Sequence, residues 1–486
     1  MAADVVAGAA IVGESLDDDA GARPTVPLPF SQLLQISVYW LGINAIMGGI
    51  GIAIQERIPD LVPVGEKGTY IAIQGFAILW VNILVQPTIG MISDYTVSRW
   101  GRRKPYIAIG ATLDVVFIIG VATSNTYISL VAFLFLLQFS SNFAQGPFQG
   151  YVPDLVPEKQ VGLASAMVGA MQTIGFIVGG IVVSLAYLVV VPPAKPDFTI
   201  PLIALGVIEF LTAMGTIFWV REGGAPRPRA GRSWLNIARS AWATDILRER
   251  SFVFLVLSRL MFFAGINVLI QWFVIFMNQT LRPAPEDRFS ILSGIQIVVA
   301  VVTALSTFPS ARLSDRIGRK PVIYVACLVG GLGLFIVALA PSFWIVLVGA
   351  VLMGVGAGTF LAVDWALMTD IIPKAASGRY MGISNIAVAA AGTLAGILVG
   401  PLIDLVGGKD QLPDGPRVAF AVGVGFFVLS AILLRRVDPR PRAQRLADEV
   451  VLAAPAAGSG TFGSPHGGVR SVSSRATCHQ EPRVVR

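Results

Sequence analysis

Hydrophobic residues fall in runs of twenty or more, separated by short polar stretches, at 31–54, 69–91, 105–123, 127–150, 162–190, 199–220, 251–278, 289–308, 321–340, 343–366, 379–405 and 416–434. A run of ~20 residues spans the ~30 Å hydrocarbon layer as a helix. Backbone in lipid must satisfy its own hydrogen bonds, and runs this long are helices rather than barrel strands. The pattern predicts an all-α membrane protein with twelve transmembrane helices. The shortest marked gap, Ser124-Asn125-Thr126, fits a tight turn between antiparallel neighbours.

Charge sets the orientation. With both termini in the cytoplasm, 28 of the 36 Lys and Arg residues fall on inward loops and tails, seven on outward loops, and Arg259 inside a span. Positive residues stay inside, so the net charge of +7 is a topology signal and no nucleic-acid partner is expected. Composition agrees: 13% charged residues is about half the ~25% of soluble domains. Two cysteines, Cys327 and Cys478, exclude a disulfide framework. His466 and His479 both lie in the C-terminal tail, so no metal centre is expected in the apolar body, and no cofactor. The first 22 residues lack Lys and Arg and carry Asp4, Glu14, Asp17, Asp18 and Asp19, which is not the pattern of a cleavable signal peptide. Five regions follow: an acidic disordered N-terminus (1–30), a six-span unit (31–220), a cytoplasmic linker (221–250), a second six-span unit (251–436) and a disordered tail (437–486). Within the linker, Trp234, Leu235, Ala238, Ala241, Trp242 and Ile246 read as one side of an interfacial helix.

The two units repeat. Asp154-Leu155-Val156-Pro157 after the fourth span matches Asp370-Ile371-Ile372-Pro373 after the tenth, and Arg103-Lys104-Pro105 matches Arg319-Lys320-Pro321, both at an offset of 216. Six spans plus six related by duplication is a secondary-transporter plan, with the solute site near the midplane between halves. The loops after spans two and eight carry a family resemblance. Gly90-Met91-Ile92-Ser93-Asp94 leads into Ser98-Arg99-Trp100-Gly101-Arg102-Arg103-Lys104-Pro105, and the second copy runs Arg312-Leu313-Ser314-Asp315-Arg316-Ile317-Gly318-Arg319-Lys320-Pro321. This resembles the signature loop of the major facilitator superfamily over residues 31–436. The resemblance implies two pseudo-symmetric six-helix bundles (the major facilitator fold) and an interior latch that holds the outward-open state. The longer first copy is similar to the branch of sucrose–proton and glycoside–pentoside–hexuronide symporters. Their sodium-coupled members place acids in spans two and four, where this chain has amides. The resemblance also implies that spans one, four, seven and ten line the cavity.

On span four, Gln138, Asn142, Gln145 and Gln149 are spaced 4, 3 and 4, within a sector of ~60° on one helix face. Amides donate and accept, which suits hydroxyl-rich neutral ligands; interhelical hydrogen bonding is the alternative. Span one adds Ser37, Trp40 and Asn44 on one side, with Trp40 either stacking on a sugar ring or filling a core position. Asn267, two i+4 steps after Arg259, either borders the same cavity or bonds between helices. Ionisable residues within spans are functional candidates, and here they are Asp114, Glu209, Arg259 and Asp364. Arg259 lies ~12 Å and Asp364 ~9 Å from the cytoplasmic side at 1.5 Å per residue, so the two are expected to pair, either as a proton-coupling switch or as a static ion pair. Asp114 and Glu209, in the middles of spans three and six, are alternative proton sites or structural groups.

Gly458-Ser459-Gly460-Thr461-Phe462-Gly463 matches a dinucleotide-binding pattern, but it lies in the tail with no strand before it. No phosphate-loop sequence occurs, so transport would draw on a gradient. The sequence is therefore read as a non-enzymatic transporter, a monomer in the plasma membrane among its lipids. It would import a small-molecule sugar or glycoside with a proton by alternating access. An exporter or organic-anion carrier, and a non-transporting assembly or sensor protein, stand as alternatives.

Overall fold

The computed structural model describes residues 26–157, 160–188, 196–222, 231, 233–236, 249–371, 377–407 and 414–438. Twelve of its helices are long and apolar enough to cross a membrane. We number them α1 (Phe30–Leu61, interrupted at Val38), α2 (Lys67–Asp94), α3 (Lys104–Thr123), α4 (Tyr127–Gln149), α5 (Val161–Ser184) and α6 (Thr199–Trp219). After the linker come α7 (Arg250–Phe276), α8 (Arg288–Ile317), α9 (Arg319–Leu339), α10 (Phe343–Ile371), α11 (Ser377–Gly407) and α12 (Asp414–Leu434). No strand occurs among the described residues. The N-terminus to residue 25, most of the linker, and the tail from 439 lie outside the described residues, and with them most of the interfacial helix; of that helix only Trp234, Leu235 and Asn236 are seen in helical form.

Two of the ends that run past the hydropathy reading do so for a visible reason. The first apolar run stops at Ile54, yet α1 continues through Gln55, Glu56 and Arg57 to Leu61, because each of these polar groups finds a partner. Gln55 Nε2 donates to the Ile270 carbonyl at 3.2 Å, Glu56 Oε1 accepts from Tyr187 at 2.7 Å, and Arg57 donates to the Val121 and Ala122 carbonyls at the end of α3. Likewise α8 passes Pro309 and runs to Ile317, with Arg312 stacked 4.3 Å over the Phe308 ring and Ser310 bonded to Thr359 at 2.8 Å.

Within the first half α1 packs on α5 and α6, α3 on α4 and α6, and α2 on α4; within the second, α7 packs on α11 and α12, α9 on α10 and α12, and α8 on α10. The halves meet where α2 touches α11, α5 touches α8 and α1 touches α7. Large apolar side chains such as Leu305, Leu328 and Trp344 face outward, with about 70% of each exposed, which is the reverse of a water-soluble surface.

Candidate functional site

Hydrogen bonds that join the halves gather at the side remote from the 95–103 loop. Asp404 near the end of α11 accepts from the backbone N–H groups of Gly68 (2.9 Å) and Thr69 (2.6 Å), the open N-terminus of α2. Such groups lack intrahelical partners, and here the opposite half supplies one. Gln55 bridges to α7 at both Ile270 O and the Val274 N–H, and Asn278 donates to Glu56 at 2.6 Å. Gly68 and Gly400 meet backbone to backbone, since a Cβ on either would strike the other's carbonyl.

The loop-side residues of the first half form a tight ionic knot. Arg103 is buried and pairs with Asp94 at 2.9 Å and Asp154 at 2.6 Å, while Arg102 also pairs with Asp154. Arg103 Nη1 further donates to the Pro147 carbonyl at 2.6 Å, near the end of α4. Glu222, just after α6, accepts from the Arg103 and Lys104 backbone N–H groups and from the Tyr151 hydroxyl at 2.7 Å. Burial, reinforced by Glu222, pushes the Tyr151 phenol far above its ordinary value, so it stays a donor. Gly101 holds φ +112° against that carboxylate, a conformation that favours glycine. Gly90 lies against Gly146, and Arg99 is exposed. In the second copy Gly318 has φ +90°, Asp315 and Arg316 are exposed, and Arg319 is half-buried; the side chain of Asp370, equivalent to Asp154, lies outside the described residues.

The amide stripe splits in two. Gln138 and Asn142 both donate to one acceptor, Asn82 Oδ1 on α2, at 2.6 and 2.7 Å, which ties α2 to α4. Gln145 and Gln149 are half-buried and have no hydrogen-bond partner among the described residues. Trp40 is buried with its ring 5.5 Å from Phe148, in a core position. Ser37 donates to Leu33 O, Asn44 to Trp40 O and Asn267 to Phe263 O, each one turn back on its own helix. Asn44 and Asn267 are half-buried and keep their carbonyl oxygens for other partners.

Arg259 of α7 and Asp364 of α10 form an ion pair at 3.0 Å, their side chains 3% and 0% exposed. Arg259 Nη1 also donates to Ser384 of α11 at 2.9 Å and lies 5.7 Å over the Phe263 ring. Two charges removed from water repay their desolvation only through such partners. Asp114 and Glu209 are brought together: both are fully buried, and their carboxyl groups lie within hydrogen-bonding reach of each other. The sequence treated them as separate candidates. The signal available was depth, for each stands at the midpoint of its helix, α3 or α6. Asn82, Glu56 and Asp404 are further residues the sequence reading did not single out.

Twelve lipid-exposed helices in two related sets, polar groups turned inward and an ion pair sealed within one set, define a membrane transporter. Comparison with known proteins gives the family. The Major Facilitator Superfamily model matches residues 30–286 and 285–466, and the chain belongs to that family. Its relatives include a raffinose carrier protein of Pediococcus pentosaceus, 24% identical over 60% of this chain and 47% of that protein. They also include a membrane-associated transporter protein of Homo sapiens, 30% identical over 25% of this chain and 27% of its length. A sucrose transport protein of Oryza sativa subsp. japonica is 31% identical over 20% of this chain and 22% of its length. The chain thus spans less than half the length of each of these relatives. Solved structures with the same fold include the nucleoside transporter NupG (TM-score 0.61, 16% identity, covering 84% of this chain and 99% of that one). A bacterial homologue of the lysosomal transporter Spinster in an inward-facing, occupied conformation is another (TM-score 0.61, 14% identity, 84% and 96% covered).

Proposed function

We propose that this chain imports a neutral, hydroxyl-rich solute, a sugar or glycoside, together with a proton, by rocking residues 31–220 against 251–436. The observation that carries the reading is the Arg259–Asp364 pair, a carboxylate held against one guanidinium in an apolar interior. When Asp364 takes up a proton, Arg259 loses its counter-charge and is free to turn toward solute; when the proton leaves, the pair re-forms. Gln145 and Gln149, with the carbonyl oxygens of Asn44 and Asn267, offer donors and acceptors to hydroxyl groups. Relatives named as raffinose and sucrose carriers support that solute class.

We place the protein in the plasma membrane, with both termini in the cytoplasm as the positive-inside distribution supports. On that orientation the side joined by Asp404, Gln55 and Asn278 faces outward, so the conformation is closed to the outside. Exposed Arg99 and Arg316 then lie where lipid phosphates are, and the transporter acts as a monomer.

The test is uptake into proteoliposomes with raffinose and sucrose as probes. Sugar addition alkalinises the medium with the native protein, and Asp364→Asn abolishes that signal while leaving solute exchange across the membrane. Sugar-driven alkalinisation persisting in Asp364→Asn would overturn the assignment of the coupling site; no sugar movement at all would overturn the solute class.

A further inference from the structure

The first half holds a second ionisable centre that the coupling scheme does not use. Asp114 of α3, Glu209 of α6 and Tyr39 of α1 are each 0% exposed. Each carboxyl group has one oxygen served by a hydroxyl: Ser140 of α4 donates to Asp114 Oδ1, and Tyr39 donates to Glu209 Oε1 at 3.2 Å. The other oxygens, Asp114 Oδ2 and Glu209 Oε2, are buried and make no hydrogen bond, although Ser141 stands close to Asp114 and the two carboxyl groups are within hydrogen-bonding reach of each other. Two ionised carboxylates can only accept, so their facing oxygens would repel in a medium where like charges interact strongly. One proton between them removes both faults: one group becomes an O–H donor, the other stays its acceptor, and the pair carries a single negative charge.

Among the described residues of the helices packed around the pair, no cation is placed to do this instead. Helices α4 and α5 contain no charged residue over their lengths, Glu209 is the one charged residue of α6, and α3 has only Lys104, at its end, besides Asp114. On α1 the charged residues Glu56, Arg57 and Asp60 stand at the far end, leaving Tyr39 as the titratable group that faces the pair; Ser140 and Ser141 face it from α4. The approach is built in. A Cβ on Gly42 of α1 would lie 2.7 Å from Glu209 Cα, so a glycine there lets α6 come close enough for Tyr39 to reach Glu209.

We propose that Asp114 and Glu209 form a proton-binding site in the first half, holding one shared proton at neutral pH under the hydroxyl of Tyr39. The site is independent of the role given to Asp364. Its hydroxyl donor sits on α1, a helix that also touches α7 of the opposite half, so displacement of α1 would withdraw a hydrogen bond from Glu209 and change how firmly the proton is held.

Infrared spectroscopy of the purified protein in lipid nanodiscs tests this by the carbonyl band of a protonated carboxyl group, identified by its shift in heavy water. The native protein at neutral pH shows one such band from this pair. Either Asp114→Asn or Glu209→Gln alone removes it completely, because the new amide N–H replaces the proton as donor to the remaining carboxylate. Tyr39→Phe keeps the band and moves its frequency, since Glu209 loses a donor, and Asp364→Asn leaves it unchanged. Absence of the band in native protein overturns the proposal. So does a band only halved by each single amide variant, which would mean two separately protonated groups, or one lost with Asp364→Asn. Tyr39→Phe, which leaves both carboxyl groups in place, keeps the question answerable if an amide variant fails to fold.

Discussion

At the scale of single residues, the chain concentrates its cost in two places: a buried ion pair in one half and a buried carboxyl pair in the other. Removing one partner of a buried ion pair strands the second charge, at about 3–5 kcal/mol, while exchanging both for apolar groups is often neutral. Arg259→Met should therefore lower the thermal unfolding temperature in detergent sharply, and the double variant Arg259→Met, Asp364→Leu should restore most of the loss without restoring transport. A double variant as unstable as the single one would show that Ser384 and Phe263, rather than Asp364, account for the stabilising contacts of Arg259. The Arg259–Asp364 contact was readable from sequence because both residues lie at similar depth from one membrane face. The Asp114–Glu209 contact was not, although depth and spacing along the chain are alike in the two cases, because opposite charges suggest a pair whereas two acids would repel unless a proton stands between them. The amides meet a different limit: a stripe on α4 shows a polar face, but that Asn82 occupies half of it depends on how α2 is turned.

At the scale of elements, helix termini carry information that hydropathy misses. The predicted ends of α3, α4, α6 and α9 fall within about two residues of those seen. The end of α1 was placed seven residues early, since Gln55, Glu56 and Arg57 look like loop and are satisfied only by other helices. At the start of α2, Asp404 acts as a capping residue borrowed from α11. Loss of an N-cap carboxylate costs about 0.5–2 kcal/mol, enough to shift a two-state balance several-fold. Asp404→Ala should widen the distance distribution between spin labels on the facing ends of α2 and α11, whereas Asp404→Asn, which keeps an oxygen acceptor, should widen it less. Equal effects of the two variants would count against a capping role.

At the scale of the whole molecule, two sets of six helices touch through α1, α2 and α5 on one side and α7, α8 and α11 on the other. At Gly68 against Gly400 the main chains of the two halves meet with no side chain between. Gly400→Leu should act as a wedge: the protein folds, but the faces cannot close at that side, and cysteines placed beside Gly68 become open to aqueous reagents. Unchanged labelling would show that the two helices can part elsewhere without loss of closure. The twofold plan itself was legible in the repeated loop residues, while the choice of which side is joined was not, since the proposed rocking motion requires the same sequence to close at either face in turn.

The ionic knot around Arg103 has a consequence for how the protein is made. Its members, Asp94, Arg102, Arg103, Asp154 and Glu222, all precede α7 in the chain, and domains tend to fold N-terminal first during synthesis. A nascent polypeptide can thus fasten its first six helices as soon as Glu222 leaves the ribosome and insertion machinery, giving the later six a finished template to assemble upon.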